Sequence, residues 1–452
     1  GKFSVRNPAH ELRAQEIVRR VAPDVYVSCS HQVAPRMGEY ERTVATVINS
    51  YVAPASGAYF KRAADRLQES GLRHPLLIMQ ISGGVLPADK AVEIPLTSLG
   101  SGPVGGLMGS LSLARGLGHK NIIATDMGGT SYDIGVITGG QLKTYDFIPV
   151  IDRWRTNIPA IEIKSIGAGG GSIAWINTLM GNALQVGPQS AGSMPGPACY
   201  DQGGHEPTVT DADLVLGYLN SDNYLGGKIL LDPDLSRMAI EEKIARPLGI
   251  DVVEAASRIR RIIDAYMGQE VFKEVVLKGH DPRDLALFAC GGAGPAHACS
   301  IAPHLGVSRV IVPSHSSVSG AFGASTVNIQ QVWEKSRTLK IFKWTTQSYA
   351  DDVDQFNGVV GELVDLARRD LRLEGFSDEQ IRFRLELDMR YGNQLAQTAV
   401  VAGVSRLKST KDILAIIGAF SRDYGQRFGE GSQAPEAGVR VNTVRVASFV
   451  PT

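Results

Sequence analysis

The pattern of apolar and polar positions divides the chain into three stretches of different character. In the first, residues 10–21 carry apolar side chains at helical spacing and residues 24–29 predict a short buried strand. Residues 40–68 predict a helix interrupted near Pro54. An apolar strand follows at 75–81 and stops on Ser82-Gly83-Gly84. The strand expected at 121–126 runs into a Gly-Gly turn, and 132–138 returns from it. Gly139-Gly140 then predicts a second hairpin leading to a strand at 141–147. The middle stretch is rich in glycine until residues 251–279, the clearest helix in the chain. Its apolar positions Val252, Ala256, Ile259, Ile263 and Met267 recur at three-to-four spacing, with Gly279 and Asp281-Pro282 as stop signals. A strand at 285–289, a turn from Gly291 to Pro295 and a helix to about residue 305 follow. From residue 331 glycine thins out. A charged amphipathic helix (351–373), an alternating strand (381–391), a helix (411–428) and a strand (439–449) predict a separate α+β domain over 331–452.

Composition narrows the function classes. The chain has 452 residues, enough for two or three domains with their own cores. Its 46 basic and 46 acidic side chains cancel, which argues against a nucleic-acid binder working through phosphate electrostatics. No apolar run approaches the roughly 20 residues that span a bilayer. Four cysteines in so long a chain do not make a disulfide framework, so a reducing cytoplasm is the expected compartment. The 50 glycines are clustered, which points to tight backbone turns around a ligand. The first residues, Gly1-Lys2-Phe3, carry no initiator Met and no signal-like segment, so the chain is expected to begin inside a longer polypeptide.

The strongest chemical signal is Asp126-Met127-Gly128-Gly129-Thr130-Ser131-Tyr132-Asp133, set between two strands. A strand delivers Asp126 to a sheet edge. Two glycines then let backbone N–H groups face an anion, and the Thr and Ser hydroxyls add donors. Asp126 can hold Mg²⁺ there, directly or through water. A plain β-hairpin is the alternative. Asp133 weighs towards function, because Asp is depleted in strands. Cys290-Gly291-Gly292-Ala293-Gly294-Pro295 is a strand–turn–helix that lets a flat ring lie on the backbone or a helix N-terminus meet phosphate, or else a tight connection. His297, on that helix, is either packed or catalytic. Ser101-Gly102-Pro103-Val104-Gly105-Gly106 precedes a helix, and Gly167–Ser172 requires close backbone approach by a ligand or a neighbouring segment. Cys199, His205, Asp211 and Asp213 are metal-capable, but no spacing matches a zinc site, and zinc is not expected. Thr210 or Asp211 is expected to cap a helix over 212–220. No G-x-S-x-G, H-E-x-x-H or Walker A sequence is present.

Seven stretches together resemble the hydantoinase A/5-oxoprolinase family, which includes acetone and acetophenone carboxylase subunits. They are EYERTVATVINSYVAP, SGPVGG, DMGGTSYDIGVI, SIGAGGGSIAWI, VGPQSAGSMPGPACY, PTVTDADLVLGYL and CGGAGPAHACSIA, spread over roughly residues 10–330. The resemblance implies an α/β fold of the actin-like ATPase type, two ribonuclease-H-like lobes closing around a nucleotide, plus the C-terminal α+β domain. Residues 1–75 would be the tail of the N-terminal lobe and 76–330 the nucleotide-binding domain.

The resemblance also implies ATP with Mg²⁺, or alternatively Mn²⁺. Asp126 would serve the metal and the chemistry, and Gly128, Gly129, Thr130 and Ser131 would hold the β- and γ-phosphates. Gly291, Gly292 and Gly294 would back the nucleoside, with Gly169 and Gly170 also at the nucleotide and Asp133 as a supporting or base residue. The family's first phosphate loop, D-x-G-G-T-F-T-D, has no counterpart before residue 126, which implies a central piece of a larger subunit. Asp201-Gln202 stands where hydrolase-like relatives have Gly-Arg, and Arg390–Gln394 also departs from their pattern, a lean towards ketone carboxylation. Implied partners are a hydantoinase B-type subunit in a hetero-oligomer and a small ketone or lactam, with no nucleic acid and no membrane. The competing readings are an ATP-dependent cyclic amidase and a non-catalytic nucleotide-binding or assembly module.

Overall fold

The computed structural model describes all residues except 143–148, 152, 350–351, 395–396, 404–405 and 451–452. The chain forms two compact units. One comprises Gly106–Gln141 and Ile163–Gly323, and the other Gly1–Gly105, Leu142–Glu162 and Ala324–Thr452. These units cross the boundaries expected at 75/76 and 330/331.

The first of these units is built on a five-stranded sheet. Its spatial order is Val310–Ile311, Ala286–Cys290, Ile122–Met127, Tyr132–Ile137 and Lys164–Ile166. The first three strands run parallel, and the last two are antiparallel to their neighbours. The predicted hairpin around Gly128-Gly129 and the strand at 285–289 are both present. The long helix, Val252–Leu277, starts where the Asp251 carboxylate accepts the Glu254 N–H at 2.9 Å. Ile259, Ile263, Met267, Val271 and Val275 repeat every four residues and are fully buried. This stripe belongs to one core with Leu285, Leu287, Ile301 and Leu305. Gly135 in the returning strand leaves room for Leu107 of the Ser101–Gly116 helix, since a β-carbon there would sit 2.6 Å from a Leu107 methyl.

The other unit has a sheet ordered Leu77–Met79, Val85–Pro87, Ile329–Lys343, Val439–Val450, Arg382–Tyr391 and Thr398–Ala402. Helices Val353–Leu373 and Thr410–Phe428 share one core with the strands, through Phe356, Val360, Leu363, Ile416 and Phe420 against Leu385, Leu387, Val444 and Val446. Alternate positions of those strands carry charge: Glu334, Glu386, Asp388 and Arg445 are all buried.

Four expectations are corrected or fall outside the description. Residues 24–29 form no strand: among the described residues no strand pairs with them, and the Tyr26 and Ser28 hydroxyls accept from Asn49 Nδ2. Pro54 does not interrupt its helix, which runs unbroken over Glu39–Glu69. Proline removes one backbone bond there, and the exposed ring at Pro54 leaves the helix otherwise continuous. The cap of the helix after Pro207 is Thr208, not Thr210 or Asp211, because Thr208 and Asp211 form a reciprocal capping box at the start of Val209–Val215. The strand expected at 141–147 lies largely at residues 143–148, outside the described residues.

Candidate functional site

Two glycine turns leave the same edge of the five-stranded sheet because the strands that deliver them are parallel neighbours, with Asp126 in register with Cys290. The carboxyl ends of parallel strands are where open α/β sheets commonly bind ligands. Met127 and Tyr132 are buried on either side of the first turn and pin it in place, while Gly129 and Thr130 are exposed. The Gly128 N–H donates to the Ser131 carbonyl at 3.0 Å and closes the turn. The N–H groups of Gly129, Thr130 and Ser131 make no hydrogen bond among the described residues. A β-carbon at Gly129 would meet nothing within 4 Å, so packing does not require glycine there.

The glycines at 169–171 lie behind this turn. Gly170 N–H donates to the Gly128 carbonyl at 3.0 Å, and Gly171 N–H to the Gly129 carbonyl at 2.7 Å. A β-carbon at Gly169 would lie 2.7 Å from the Gly128 oxygen. The Gly169 N–H is taken by Ser172 Oγ at 2.9 Å. Gly169 and Gly170 are therefore buried with their amides engaged, bracing the turn. Thr210 closes the layer by donating its N–H and hydroxyl to the Gly170 carbonyl at 2.7 and 2.8 Å.

The second turn fits against the first. Gly291 has a φ of 88°, and a β-carbon on it would fall 2.3 Å from the Met127 carbonyl oxygen. Its N–H donates to Ser316, and the Ala293 N–H donates to Met127, at 2.8 and 3.1 Å. Gly292 faces open space, and Gly294 begins the helix Gly294–Leu305.

Asp126 is half-buried, and its Oδ2 accepts the Ser319 hydroxyl at 2.6 Å. Ser319 begins the helix Ser319–Thr326 and is 193 residues away in sequence, so no local motif signals it. Gly106 also borders this carboxylate, inside the Ser101–Gly116 helix that the sequence had placed after it. Asp133 is directly opposite Asp126 across the hairpin. Burial pushes the Asp133 carboxyl up, the Asp126 charge adds to this, and a hydrogen bond from Ser165 opposes it. One carboxylate, three free amides and two hydroxyls around an open glycine are hard oxygen and N–H partners. That set suits a polyphosphate with Mg²⁺ or Mn²⁺.

His297, Asp213, Asp211 and Cys199 make their contacts within the protein. His297 is fully buried, with Nδ1 2.5 Å from Asp264 and Nε2 3.0 Å from Asp213. Arg260 joins them by donating to Asp213 and to the Ala296 carbonyl, and it stacks on Tyr218. Burial works against charge on His297, but the two carboxylates outweigh it and push the ring up to about 9. Asp211 accepts the Cys199 N–H and the Ser236 hydroxyl besides closing the capping box with Thr208, and Cys199 is buried while His205 is exposed.

Residues 42–331 match the hydantoinase/oxoprolinase model, and residues 344–452 match the hydantoinase/oxoprolinase C-terminal domain. The gamma subunit of acetophenone carboxylase from Aromatoleum aromaticum is 38% identical over 455 residues, covering 100% of this chain and 62% of that protein. The crystal structure of ATP-dependent caprolactamase from Pseudomonas jessenii superposes with a TM-score of 0.85 at 35% identity, covering 99% of this chain and 63% of that one. A nucleotide-free acetone carboxylase structure gives 0.76 at 29% identity, with the same coverage of 99% and 63%. The mixed α/β fold is thus similar to both solved structures. The chain spans about three fifths of the length of these relatives. Among the described residues, no helix is long and apolar enough to cross a membrane.

Proposed function

The chain belongs to the hydantoinase/oxoprolinase family, and on that premise we propose that it is the nucleotide-holding part of an ATP-dependent enzyme that activates a carbonyl oxygen by phosphorylation. The observation that carries this reading is the set of three unengaged N–H groups at Gly129, Thr130 and Ser131, beside Asp126 and the Gly291 turn. We further propose that the five-stranded unit is an actin-like lobe of the ribonuclease-H type, in keeping with its three antiparallel strands followed by two parallel ones.

Bound Mg·ATP would supply the phosphoryl group and the charge neutralisation that transfer to an enolate or amide oxygen requires. The protein's part is positioning. Gly129, Thr130 and Ser131 orient phosphate oxygens by N–H and hydroxyl donation, while Gly169 and Gly170 keep the turn from yielding. Asp126 holds the cation, with its carboxylate turned by Ser319. Gly291, Gly292 and Gly294 leave the second turn flat enough for a nucleoside. Asp133, opposite Asp126 across the hairpin, would hold or release a proton there.

Ketone carboxylation is the favoured reaction, supported by Asp201-Gln202 and by the likeness to the acetophenone carboxylase subunit over the whole chain. Lactam opening is the second reading, supported by the similarity to caprolactamase. Either reaction implies a hydantoinase B-type partner in a cytoplasmic hetero-oligomer. Phosphate release by the assembled complex, measured with a ketone plus bicarbonate and separately with a lactam, tests the proposal. Ketone-dependent release is expected. Lactam-dependent release moves the assignment to a cyclic amidase, and release with neither leaves a nucleotide-binding or assembly module.

A further inference from the structure

Three side chains in the N-terminal region converge without any part in the nucleotide site. Glu11 lies on the helix Ala9–Val21, while Cys29 and His31 flank the first residue of the short helix Ser30–Val33. A carboxylate oxygen, the thiol sulfur and a ring nitrogen from these residues all lie within 4.8 Å of one another. Cys29 is buried, and Glu11 and His31 are half-buried. Spacing along the chain conceals the group, since Glu11 is 18 residues from Cys29.

We propose that Glu11, Cys29 and His31 form a binding site for one divalent transition-metal ion, best suited to Zn²⁺. A thiolate, an imidazole and a carboxylate are a borderline-soft donor set of the kind zinc takes with three protein ligands and one open position. The donors are already oriented. Ser30 Oγ donates to Glu11 Oε1 at 2.6 Å, and the His31 backbone N–H donates to Oε2 at 3.1 Å. Ser30 in turn accepts Arg42 Nε at 3.1 Å, and the buried Arg42 also donates to the Arg36 carbonyl. These bonds act as the supporting shell that fixes a metal's ligands. His31 Nδ1 is 2.8 Å from Glu11 Oε2. A tetrahedral zinc ion needs about 3.3 Å between two such ligands, so a shift of about half an ångström admits it.

The proton balance is simple. The metal displaces the Cys29 thiol proton to solvent and takes the Nδ1 lone pair of a neutral His31, whose remaining ring proton sits on Nε2. Glu11 is the carboxylate ligand, its two oxygens held by the Ser30 hydroxyl and the His31 backbone N–H. Because binding releases the Cys29 thiol proton, loading strengthens as pH rises. The bound ion would tie the Ala9–Val21 helix to the start of the Glu39–Glu69 helix through Ser30 and Arg42.

The test is titration of Co²⁺ alone into metal-free protein, read by the near-ultraviolet thiolate-to-cobalt charge-transfer band and by bound metal per chain. One ion per chain with that band is expected. The band should vanish in Cys29→Ser and fall in His31→Gln, and it should persist in Cys299→Ser, which changes an exposed thiol. Cys29→Ser is nearly isosteric, and an unchanged far-ultraviolet circular dichroism spectrum shows that it folds. Cobalt bound without the band, or a band equal in wild type and Cys29→Ser, overturns the proposal. The band reports sulfur ligation, so a divalent ion held by Asp126 cannot produce it.

Discussion

Gly291 lies so close to Asp126 that a β-carbon on it would sit 2.6 Å from the carboxylate's Oδ1. The residue that lets the second turn fold is thus also the one that leaves space around the candidate metal ligand. Gly129 is different in kind, because a β-carbon there meets nothing within 4 Å and its φ is ordinary. The two glycines separate a fold requirement from a ligand requirement.

Gly129→Ala is expected to keep wild-type thermal stability within about 1 kcal/mol yet weaken Mg·ATP binding by about tenfold or more, since its methyl would occupy the open approach to free N–H groups. Gly291→Ala is expected to cost about 2–4 kcal/mol, from overpacking against Met127 and a left-handed φ. Parallel thermal melts and nucleotide titrations check both. A destabilised Gly129→Ala that still bound nucleotide normally would reverse the assignment.

Ser319→Ala removes the hydroxyl that orients Asp126 and is expected to cost about 1 kcal/mol of stability. Its larger effect should be on the Mg²⁺ concentration needed for half-maximal nucleotide binding, raised about three- to tenfold by a less fixed carboxylate. Thr is expected to restore most of the loss, and Val none of it. A Mg²⁺ dependence unchanged in Ser319→Ala removes Ser319 from the site.

The buried His297 gives the fold a pH dependence of definite sign. Its folded-state value, about 9, lies above the ordinary 6.5. A raised value stabilises the charged ring's fold fully below about pH 6.5, and that contribution is lost as pH climbs through about 9. Urea midpoints measured from pH 6 to pH 9.5 should therefore fall for wild type. In His297→Gln the starting stability should be lower, with a flatter dependence over the same window. Parallel curves for the two proteins would show that folding leaves the His297 pKa at its ordinary value.

Arg445 is fully buried among three carboxylates, 2.9 Å from Glu386, 3.0 Å from Asp388 and 3.3 Å from Glu334. Arg36 adds a second cation on Asp388. Removing one partner of such a cluster leaves buried charge without compensation, so Arg445→Met is expected to lose about 3–5 kcal/mol. Denaturant unfolding checks this, and a loss below about 1 kcal/mol would mean that water reaches the cluster.

Local chemistry made much of the fold legible. The apolar stripe from Val252 to Met267, and Asp126 before two glycines, announce a helix and a turn by residue type alone. What sequence could not show depends on partners distant in the chain. Residues 24–29 look like a strand in composition, but among the described residues no strand pairs with them, and the Tyr26 and Ser28 hydroxyls accept from Asn49 instead. Pro54 reads as a break, yet it is exposed and the helix runs through it, with Ala45 and Phe60 buried on either side. The strand at Ile329–Lys343 pairs with Val439–Val450 and, at Ile329, with Val85, which no local pattern predicts. At the site, the Gly-Gly turns stood out, whereas Ser319 reaches Asp126 from a helix with no motif of its own. Glu11, Cys29 and His31 became neighbours only through folding.

The most direct test of the nucleotide assignment is calorimetric titration of Mg·ATP into the protein and into its Asp126→Ala variant. Saturable, Mg²⁺-dependent binding by the wild type that disappears in the variant is the predicted result. No saturable binding by the wild type, or equal affinity in the two proteins, would contradict it.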